Sequence, residues 1–320
     1  MKVSLEKMSV NDSLVGKDFL TLADYTANEV SDLLELAAHL KRKQKLGQTV
    51  HPLKGKVLGM IFEKPSTRTR VSFETGMYQL GGHGIFLSSD DIQLGRGETI
   101  ADTAKVLSTY LDGIMIRTFS QQDVEELAEH ASIPVINGLT DLFHPCQVLA
   151  DLQTIQEKKG TLMGVKIAYI GDGNNMAHSL MIGAAMMGMD ISVATPEKFA
   201  PHPAVVKEAL NVAERYGGHV QVTTNPEQAV QEADVVYTDV WTSMGQEAEQ
   251  TEREKAFSEF QVNQELLAQA RPQAIFMHCL PAQRGVEVTT EVMDGDQSVV
   301  FQQAENRLHA QKALLASLMG

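Results

Sequence analysis

Short apolar runs alternate with amphipathic helical patterns along most of the chain. A capping box formed by Thr26 and Glu29 begins the first helix. In the first half, the runs that predict strands are 57–62, 83–87, 113–117 and 133–137. Helical spacing predicts one helix that opens from the stretch 63–70 and ends at Gly81-Gly82, and two more at 99–111 and 121–131. Apolar strands separated by helices are typical of a parallel sheet that is covered on both faces.

The second half repeats this alternation after a helix at 145–157 and a domain junction near Lys158-Lys159-Gly160. The predicted strands are 165–170, 191–194, 220–223, 235–238 and 274–278, and the predicted helices are 174–188, 203–216, 226–232, two short ones between 253 and 270, and a last one at 302–318. We expect an α/β fold with two tandem doubly wound domains, each a parallel sheet flanked by helices. Such sheets bind ligands beyond the carboxyl ends of their strands, so the active site is expected in the interdomain cleft.

Length, charge and cysteine content narrow the class of protein. A chain of 320 residues usually divides into two domains. The net charge of −14 argues against nucleic acid as a partner. Two distant cysteines give no disulfide framework, no apolar run reaches membrane-spanning length, and residues 1–17 resemble neither a signal sequence nor a transit peptide. We therefore expect a cytoplasmic protein.

The most informative motif is Glu63-Lys64-Pro65-Ser66-Thr67-Arg68-Thr69-Arg70, where the first strand turns into a helix. Unpaired N–H groups and the helix dipole favour an anion at such a turn. The hydroxyls and the two arginines make phosphate the best fit. The alternative is a capped helix whose arginines pair with surface acids. The motif does not match G-x-x-x-x-G-K-[ST], which argues against a nucleotide triphosphatase.

Two further strand ends carry candidate groups for the same ligand. Arg117 closes an apolar strand, and His144 precedes Pro145 at the first helical position, with Gln147 one turn later. The imidazole and the amide are placed to reach a carbonyl oxygen. A surface arginine and a capping histidine are the alternative interpretations.

The strand ends of the second half favour a small amine. Gly171-Asp172-Gly173-Asn174-Asn175 fails the G-x-G-x-x-G spacing, and its two asparagines favour recognition by side-chain amides. Asp239 follows a strand, where its carboxylate can pair with an amine. Cys279 also ends a strand and is a nucleophile, a proton-handling neighbour or an inert packing residue, with covalent catalysis the least favoured. No Cys/His spacing indicates a metal site, and no cofactor is expected. The residues thus predict an enzyme that joins a phosphate-bearing molecule and an amine.

Four motifs together resemble the aspartate/ornithine carbamoyltransferase superfamily, and within it the ornithine carbamoyltransferases. They are Ser66-Thr67-Arg68-Thr69-Arg70, His144-Pro145-Cys146-Gln147, Asp239 through Ser243-Met244-Gly245, and His278-Cys279-Leu280-Pro281. The first two are shared across carbamoyltransferases. The last two favour ornithine, because an aspartate enzyme is expected to carry His-Pro-Leu-Pro and to lack Ser-Met-Gly.

The resemblance implies roles for individual residues. The implied catalytic residues are Arg68, Arg117, His144, Gln147, Asp239 and Cys279. The implied carbamoyl phosphate ligands are Ser66, Thr67, Arg68, Thr69, Gln93, Arg117, His144, Pro145, Cys146, Gln147, Cys279, Leu280 and Arg307, and those of ornithine are Asn175, Asp239, Ser243 and Met244. The carbamoyl phosphate domain would comprise residues 1–150 completed by 302–320, and the ornithine domain 151–301. Family members are built on a homotrimer.

Three alternatives remain open from the sequence. One is a carbamoyltransferase that acts on another amine, such as putrescine or acetylornithine, and the second is a non-catalytic homologue that regulates a partner. The third, a nicotinamide-dependent oxidoreductase, is disfavoured by the failed glycine spacing. An assay that offers different amines separates the first, and citrulline formation separates the second.

Overall fold

The strands form two separate sheets in which every pair of neighbours is parallel. The computed structural model describes residues 12–93 and 97–320, so the prediction for residues 1–17 lies partly outside the described residues. In order across the sheet, the first has β2 (His83–Ser88), β1 (Val57–Phe62), β3 (Gly113–Arg117) and β4 (Val135–Leu139), and the second has β7 (His219–Thr223), β6 (Asp190–Ala194), β5 (Lys166–Ile170), β8 (Val235–Thr238) and β9 (Ile275–His278). Helices lie between successive strands. This arrangement confirms the predicted α/β fold with two parallel sheets.

The first sheet and its helices come from the first half of the chain. The strands are β1 (Val57–Phe62), β2 (His83–Ser88), β3 (Gly113–Arg117) and β4 (Val135–Leu139), and the helices are α1 (Ala27–Lys45), α2 (Thr67–Gln79), α3 (Ile100–Ser108) and α4 (Gln121–His130). The predicted capping box is present at α1, where Thr26 and Glu29 each bind the other's backbone N–H. Its side chains satisfy donors that the first turn of α1 leaves unpaired.

The second sheet is built in the same way. Its strands are β5 (Lys166–Ile170), β6 (Asp190–Ala194), β7 (His219–Thr223), β8 (Val235–Thr238) and β9 (Ile275–His278), and the helices are α6 (Asn175–Met186), α7 (Pro203–Tyr216), α8 (Pro226–Val230), α9 (Gln250–Ala256), α10 (Gln264–Leu267) and α11 (Thr290–Met293). The four residues of α11 were not predicted. The central strands β5, β6 and β8 are buried on both faces along almost their whole length, which explains their continuous apolar sequences.

Two helices connect the sheets. Helix α5 (Pro145–Lys159) follows β4, and an unbroken run of eleven residues from Pro145 to Ile155 is buried. Helix α12 (Val300–Met319) comes last in the chain and packs against α5, α1 and α2. The chain end therefore returns to the helices of the first sheet, and α5 and α12 pack side by side.

Strand β4 differs from its predicted range by two residues at each end. Pro134 has no N–H to give to a ladder, so pairing with β3 begins at Val135. The strand then continues through Gly138, beyond its predicted end at residue 137, and Leu139 pairs with Arg117 after an irregularity in the register. This extension matters because it carries the chain to the cleft just before His144.

Within residues 12–93 and 97–320, no helix combines the length and the apolar character needed to cross a membrane.

Candidate active site

The carboxyl ends of both sheets open onto one cleft. Its cavity has a volume of about 900 Å³ and takes wall residues from the two halves of the chain. The predicted site residues in this wall are Ser66, Thr67, Arg68, Thr69, Arg117, His144, Asn175, Asp239, Ser243, Met244, Cys279, Leu280 and Arg307. The strands of each sheet are parallel, so residues that lie far apart in sequence meet at this edge.

The first wall of the cleft is the start of α2. Ser66 Oγ accepts a hydrogen bond from the backbone N–H of Thr69 at 3.1 Å and so caps the helix. Arg68 lies in the wall. Arg70 does not: its guanidinium binds Glu74 at 3.1 Å and lies 3.8 Å from the centre of the Phe86 ring. The simpler interpretation, pairing with a surface acid, thus holds for Arg70 but not for Arg68.

Three cationic side chains converge next to a neutral histidine. Burial, and then the charges of Arg307 and Arg68, lower the pKa of Arg117 to about 10. Burial and the same arginines, together with Arg117, lower the pKa of His144 well below its usual value, so its imidazole is neutral near pH 7. Arg117 Nε and His144 Nδ1 are buried and have no hydrogen-bond partner among the described residues. Such a group is suited to an anionic ligand with a carbonyl oxygen.

Four of the predicted ligands lie outside the described wall of the cleft. Gln93 is exposed on the loop after β2. Pro145, Cys146 and Gln147 are buried in the first turn of α5, where the Cys146 thiol contacts the carbonyl of Asn137 at 3.3 Å. Gln147 is 1% exposed and accepts a hydrogen bond from Arg307. In this structure Gln147 therefore contacts a wall residue from behind.

The opposite wall presents a carboxylate that holds three neighbouring groups. Asp239 accepts hydrogen bonds from Asn174 Nδ2 at 3.0 Å, from the backbone N–H of Val240 at 2.8 Å, and from the Cys279 thiol at 3.0 Å. Asn174 also caps α6, because its amide oxygen accepts hydrogen bonds from the backbone N–H groups of Met176 and Ala177. Asn175, the predicted ligand, donates instead to the carbonyl of Thr140 at 2.5 Å and so links the two halves of the cleft.

The segment Ser243-Met244-Gly245 reaches across the cleft. The Met244 sulfur lies 4.0 Å from Arg117 Nη2, which belongs to the first sheet. Met244 is 42% exposed, and Gly245 has a φ of +91°, a conformation that favours glycine. The segment predicted to select the acceptor therefore lies directly over one of the predicted phosphate ligands.

One trio of side chains has the spacing of metal ligands. Asp239, His278 and Cys279 bring ligand atoms within 4.8 Å of one another, the one such trio found among the described residues. Both nitrogens of His278 are already engaged, because Nδ1 accepts from the backbone N–H of Leu280 and Nε2 lies 3.3 Å from Glu287. The Cys279 thiol donates to Asp239. The donor set is thus used in hydrogen bonds within the protein.

The glycine-rich turn after β5 has a packing role. A Cβ atom at Gly173 would lie 2.3 Å from the backbone nitrogen of Pro201 and 2.5 Å from the carbonyl oxygen of Phe199. The residue is therefore glycine because another chain segment crosses it at close range. This observation accounts for a turn that resembles a dinucleotide motif without matching its spacing.

Sequence reasoning missed several wall residues. Lys64 is 3% exposed, pairs with Asp141, and lies 4.1 Å from the centre of the Phe119 ring. On the other side, Arg253 binds Asp172 Oδ2 at 2.9 Å and the carbonyl of Trp241 at 3.0 Å. Lys64 and Asp172 each stand inside a motif that the sequence singled out. Nothing comparable marks Arg253, which lies in a polar helix.

Comparison with known protein families gives two matches that together span most of the chain. Residues 17–157 match the model of the carbamoyl-P binding domain of aspartate/ornithine carbamoyltransferase, and residues 163–318 match its Asp/Orn binding domain.

Individual relatives agree with these matches over nearly the whole length. The chain is 68% identical over 306 residues to an ornithine carbamoyltransferase of Oceanobacillus iheyensis, which covers 96% of this chain and 95% of that protein. It is 59% identical over 308 residues to one of Thermococcus kodakarensis, covering 96% and 98%. The solved ornithine carbamoyltransferase of Pyrococcus furiosus is 58% identical, superposes with a TM-score of 0.94, and covers 96% of this chain and 98% of its own.

Proposed function

Because the chain belongs to the aspartate/ornithine carbamoyltransferase family, we propose that its cleft joins carbamoyl phosphate to ornithine. The protein transfers the carbamoyl group to the side-chain amine of L-ornithine and releases L-citrulline and phosphate, a reaction of arginine metabolism. The observation that supports this most directly is one cleft with Arg68, Arg117 and His144 on one side and Asp239 on the other. The names of the relatives favour ornithine over another amine as the acceptor.

The phosphate is assigned to the start of α2. Ser66, Thr67, Arg68 and Thr69 bind it at the helix N-terminus, where unpaired N–H groups and the dipole favour an anion. Arg117 bridges the phosphate and the carbonyl oxygen, and Gln93 is an additional phosphate ligand. The buried Nε of Arg117, which has no partner among the described residues, supports this assignment.

The carbamoyl end is assigned to the neutral imidazole and the buried guanidinium. His144 donates to the carbonyl oxygen, with Arg307 beside it, and Pro145, Cys146, Gln147, Cys279 and Leu280 complete the surroundings. His144 does this as a neutral donor because the nearby arginines and burial lower its pKa. Negative charge develops on this oxygen in the tetrahedral intermediate, and fixed donors stabilise it without reorganisation.

Ornithine is assigned to the opposite wall. Asp239, Asn175, Ser243 and Met244 bind its amino-acid end, and its side-chain amine points across the cleft toward the carbonyl carbon. The neutral amine forms the new C–N bond, the C–O bond to phosphate breaks, and the leaving phosphate takes the proton of the amine. Much of the rate comes from holding both substrates in attack geometry. Closure of Ser243-Met244-Gly245 over the cleft limits hydrolysis of carbamoyl phosphate.

The two proposed domains correspond to the two sheets. Residues 1–150, completed by 302–320, form the carbamoyl phosphate domain, and residues 151–301 form the ornithine domain. The packing of α12 against α1, α2 and α5 supports the return of the chain end to the first domain. We further propose a cytoplasmic homotrimer, or a multiple of trimers, as the assembled enzyme.

An assay with four acceptors tests the proposed function. The purified protein receives carbamoyl phosphate with ornithine, putrescine, acetylornithine or aspartate, and the carbamoylated product is identified by mass. We expect citrulline from ornithine at a kcat/KM at least about 100-fold above that of any other acceptor, because a site built for polar groups strongly rejects analogues that lack them. Faster turnover of putrescine or acetylornithine, or carbamoyl phosphate binding without turnover, would contradict the proposal.

A further inference from the structure

Asp151 is a carboxylate buried behind the cleft. It lies on α5, one turn after Gln147, is 0% exposed, and does not belong to the described wall of the cleft. Three donors bind it: Gln147 Nε2 at 2.8 Å, Gln303 Nε2 at 2.8 Å, and the Tyr237 hydroxyl at 3.1 Å. A buried carboxylate is costly, and burial raises the pKa of Asp151 to about 7. Because its burial is costly, we expect this carboxylate to have a specific role in the protein.

The first consequence of this carboxylate is the orientation of the Gln147 amide. Its nitrogen donates to Asp151, so its oxygen points the other way and accepts from Arg307 Nη1 at 2.6 Å. A carboxylate has only acceptors and a guanidinium only donors, so the two neighbours permit a single orientation of the amide. Through the Gln147 amide, the position of Asp151 therefore affects the position of the Arg307 guanidinium.

In this series of hydrogen bonds from Asp151 through Gln147, Arg307 is the residue that lines the cleft. Besides Gln147, its Nη2 donates to Thr69 Oγ1 at 3.1 Å, and Gln311, with its amide oriented to suit its neighbours, accepts from Nε at 3.2 Å. All of these partners are neutral. Asp151, which lies one hydrogen bond further back, is the acidic group of this set.

The same carboxylate also reaches the second sheet. Gln303 donates to Asp151 and accepts from the backbone N–H of His278 at 3.0 Å, which fixes its amide orientation as well. His278 ends β9 and precedes Cys279, a residue of the cleft wall. Asp151 is therefore the common acceptor between the Arg307 side and the Cys279 side of the cleft.

We propose that Asp151 is a positioning residue for carbamoyl transfer: through Gln147 it holds the Arg307 guanidinium in the cleft wall, and through Gln303 it ties that guanidinium to the strand end that carries Cys279. This inference rests on the proposed function, because Arg307 is assigned there to the carbamoyl end. Asp151 itself touches neither substrate.

Two substitutions at this position separate a hydrogen-bonding role from a charge role. In Asp151→Asn, the new amide oxygen still accepts from Gln147 and Gln303, so Gln147 keeps its orientation, and only the hydrogen bond that Tyr237 donates to Asp151 is lost. We expect kcat/KM for carbamoyl phosphate within about threefold of wild type. In Asp151→Leu, which lacks any acceptor, we expect a loss of about tenfold or more, the equivalent of one lost hydrogen bond to a charged group. An Asp151→Asn variant as slow as Asp151→Leu would overturn the proposal.

A matched control and a second variant guard against a merely structural effect. Thr154 lies on the same helix, is equally buried, and accepts from Asn306 of α12 at 2.9 Å, but leads to no residue of the cleft. Thr154→Val is expected to keep wild-type kcat/KM, and a loss as large as that of Asp151→Leu would overturn the proposal. If Asp151→Leu does not fold, Gln147→Leu removes the next residue in the series of hydrogen bonds and should show the same loss of kcat/KM. A wild-type kcat/KM in Gln147→Leu would also overturn the proposal.

A double-mutant cycle tests whether Asp151 acts through Arg307, which it does not touch. Arg307→Lys keeps a cation but loses the planar fork that Gln147 and Thr69 hold. Adding Asp151→Leu to Arg307→Lys should then reduce kcat/KM by less than about twofold, because the positioned group is already gone. If Asp151→Leu reduces kcat/KM as much in the Arg307→Lys background as in the wild-type background, Asp151 does not act through Arg307 and the proposal is overturned.

The outcomes also separate this inference from the function on which it rests. A wild-type protein that forms no citrulline overturns the proposed function and the inference with it. An active wild-type protein whose Asp151→Leu variant matches it in kcat/KM overturns the inference alone.

Discussion

The thiol of Cys279 donates a hydrogen bond to Asp239 Oδ1 over 3.0 Å, at the end of β9. A thiolate facing this carboxylate would be repelled, so the contact requires the protonated form. Burial, and then the charge of Asp239, raise the pKa of the Cys279 thiol well above its usual value. The geometry thus favours a hydrogen-bond donor at this position over a nucleophile.

Cys279→Ser is expected to keep substantial activity. A serine hydroxyl can give Asp239 the same hydrogen bond, so kcat should stay within roughly tenfold of wild type. Cys279→Ala removes the donor and should be slower than Cys279→Ser when both are measured by citrulline formation. A carbamoyl thioester on Cys279, detected by mass spectrometry after rapid acid quenching, would refute this account.

Arg68→Ala is expected to abolish useful turnover without unfolding the protein. Loss of one fixed donor to a transition-state charge typically costs on the order of 10²–10³-fold, and Arg68 lies in the cleft wall. Arg70→Ala is the matched control, because Arg70 belongs to the same motif but contacts Glu74 and Phe86. We expect kcat/KM of that variant within about threefold of wild type, since an exposed ion pair contributes little. Near-normal activity of Arg68→Ala would contradict the assignment of the phosphate to this motif.

Arg253→Met is expected to destabilise the second domain strongly. Arg253 and Asp172 are buried, and burial raises the pKa of Asp172 to about 6 even beside this cation. Removing one partner of a buried pair leaves an uncompensated charge and costs about 3–5 kcal/mol. Urea unfolding at pH 8 measures this free energy.

A second substitution tests the cause of that loss. Asp172→Asn in the Arg253→Met background removes the unpaired charge, so it should restore part of the free energy of unfolding at pH 8. If the double variant is no more stable than Arg253→Met alone, the buried charge does not explain the loss.

The sequence predicts strands and their ends better than it predicts side-chain directions. Apolar runs and helical spacing were sufficient to predict two parallel sheets, because both signals are local. The convergence of Arg68, Arg117, His144 and Asp239 followed from the rule that parallel strands present their carboxyl ends together. Arg68 and Arg70 show the limit: residues two apart on a helix do not share a face, so one motif supplies both a cleft residue and a surface residue.

The relay behind the cleft could not be predicted from the chain order. Asp151 and Gln303 lie 152 positions apart, and only the packing of α12 against α5 brings them together. Polar residues in two helical patterns are ordinarily assigned to solvent. The polar faces of α5 and α12 are buried because these helices pack against each other in the fold, and the chain order does not show this packing.

The stability of Asp151→Asn should depend on pH in a way that reports the buried carboxyl. Burial raises the pKa of Asp151 to about 7, from 3.8 for an exposed aspartate, despite hydrogen bonds from Gln147, Gln303 and Tyr237 and the charge of Arg307. Between these two values the folded protein binds a proton that the unfolded chain has released. Its free energy of unfolding therefore falls as the pH rises through this window, and an asparagine avoids that loss.

The expected signature is a difference that grows with pH. Asp151→Asn should be more stable than wild type at pH 8, by an amount that is constant above about pH 7, shrinks as the pH is lowered, and is nearly gone at about pH 4. Urea unfolding at pH 4.5, 6 and 8 measures the difference, with Thr154→Val as a variant that should show no such trend. An Asp151→Asn variant that loses stability on going from pH 4.5 to pH 8 relative to wild type would mean that the carboxylate is better stabilised in the fold than in water, and that Arg307 outweighs the cost of burial.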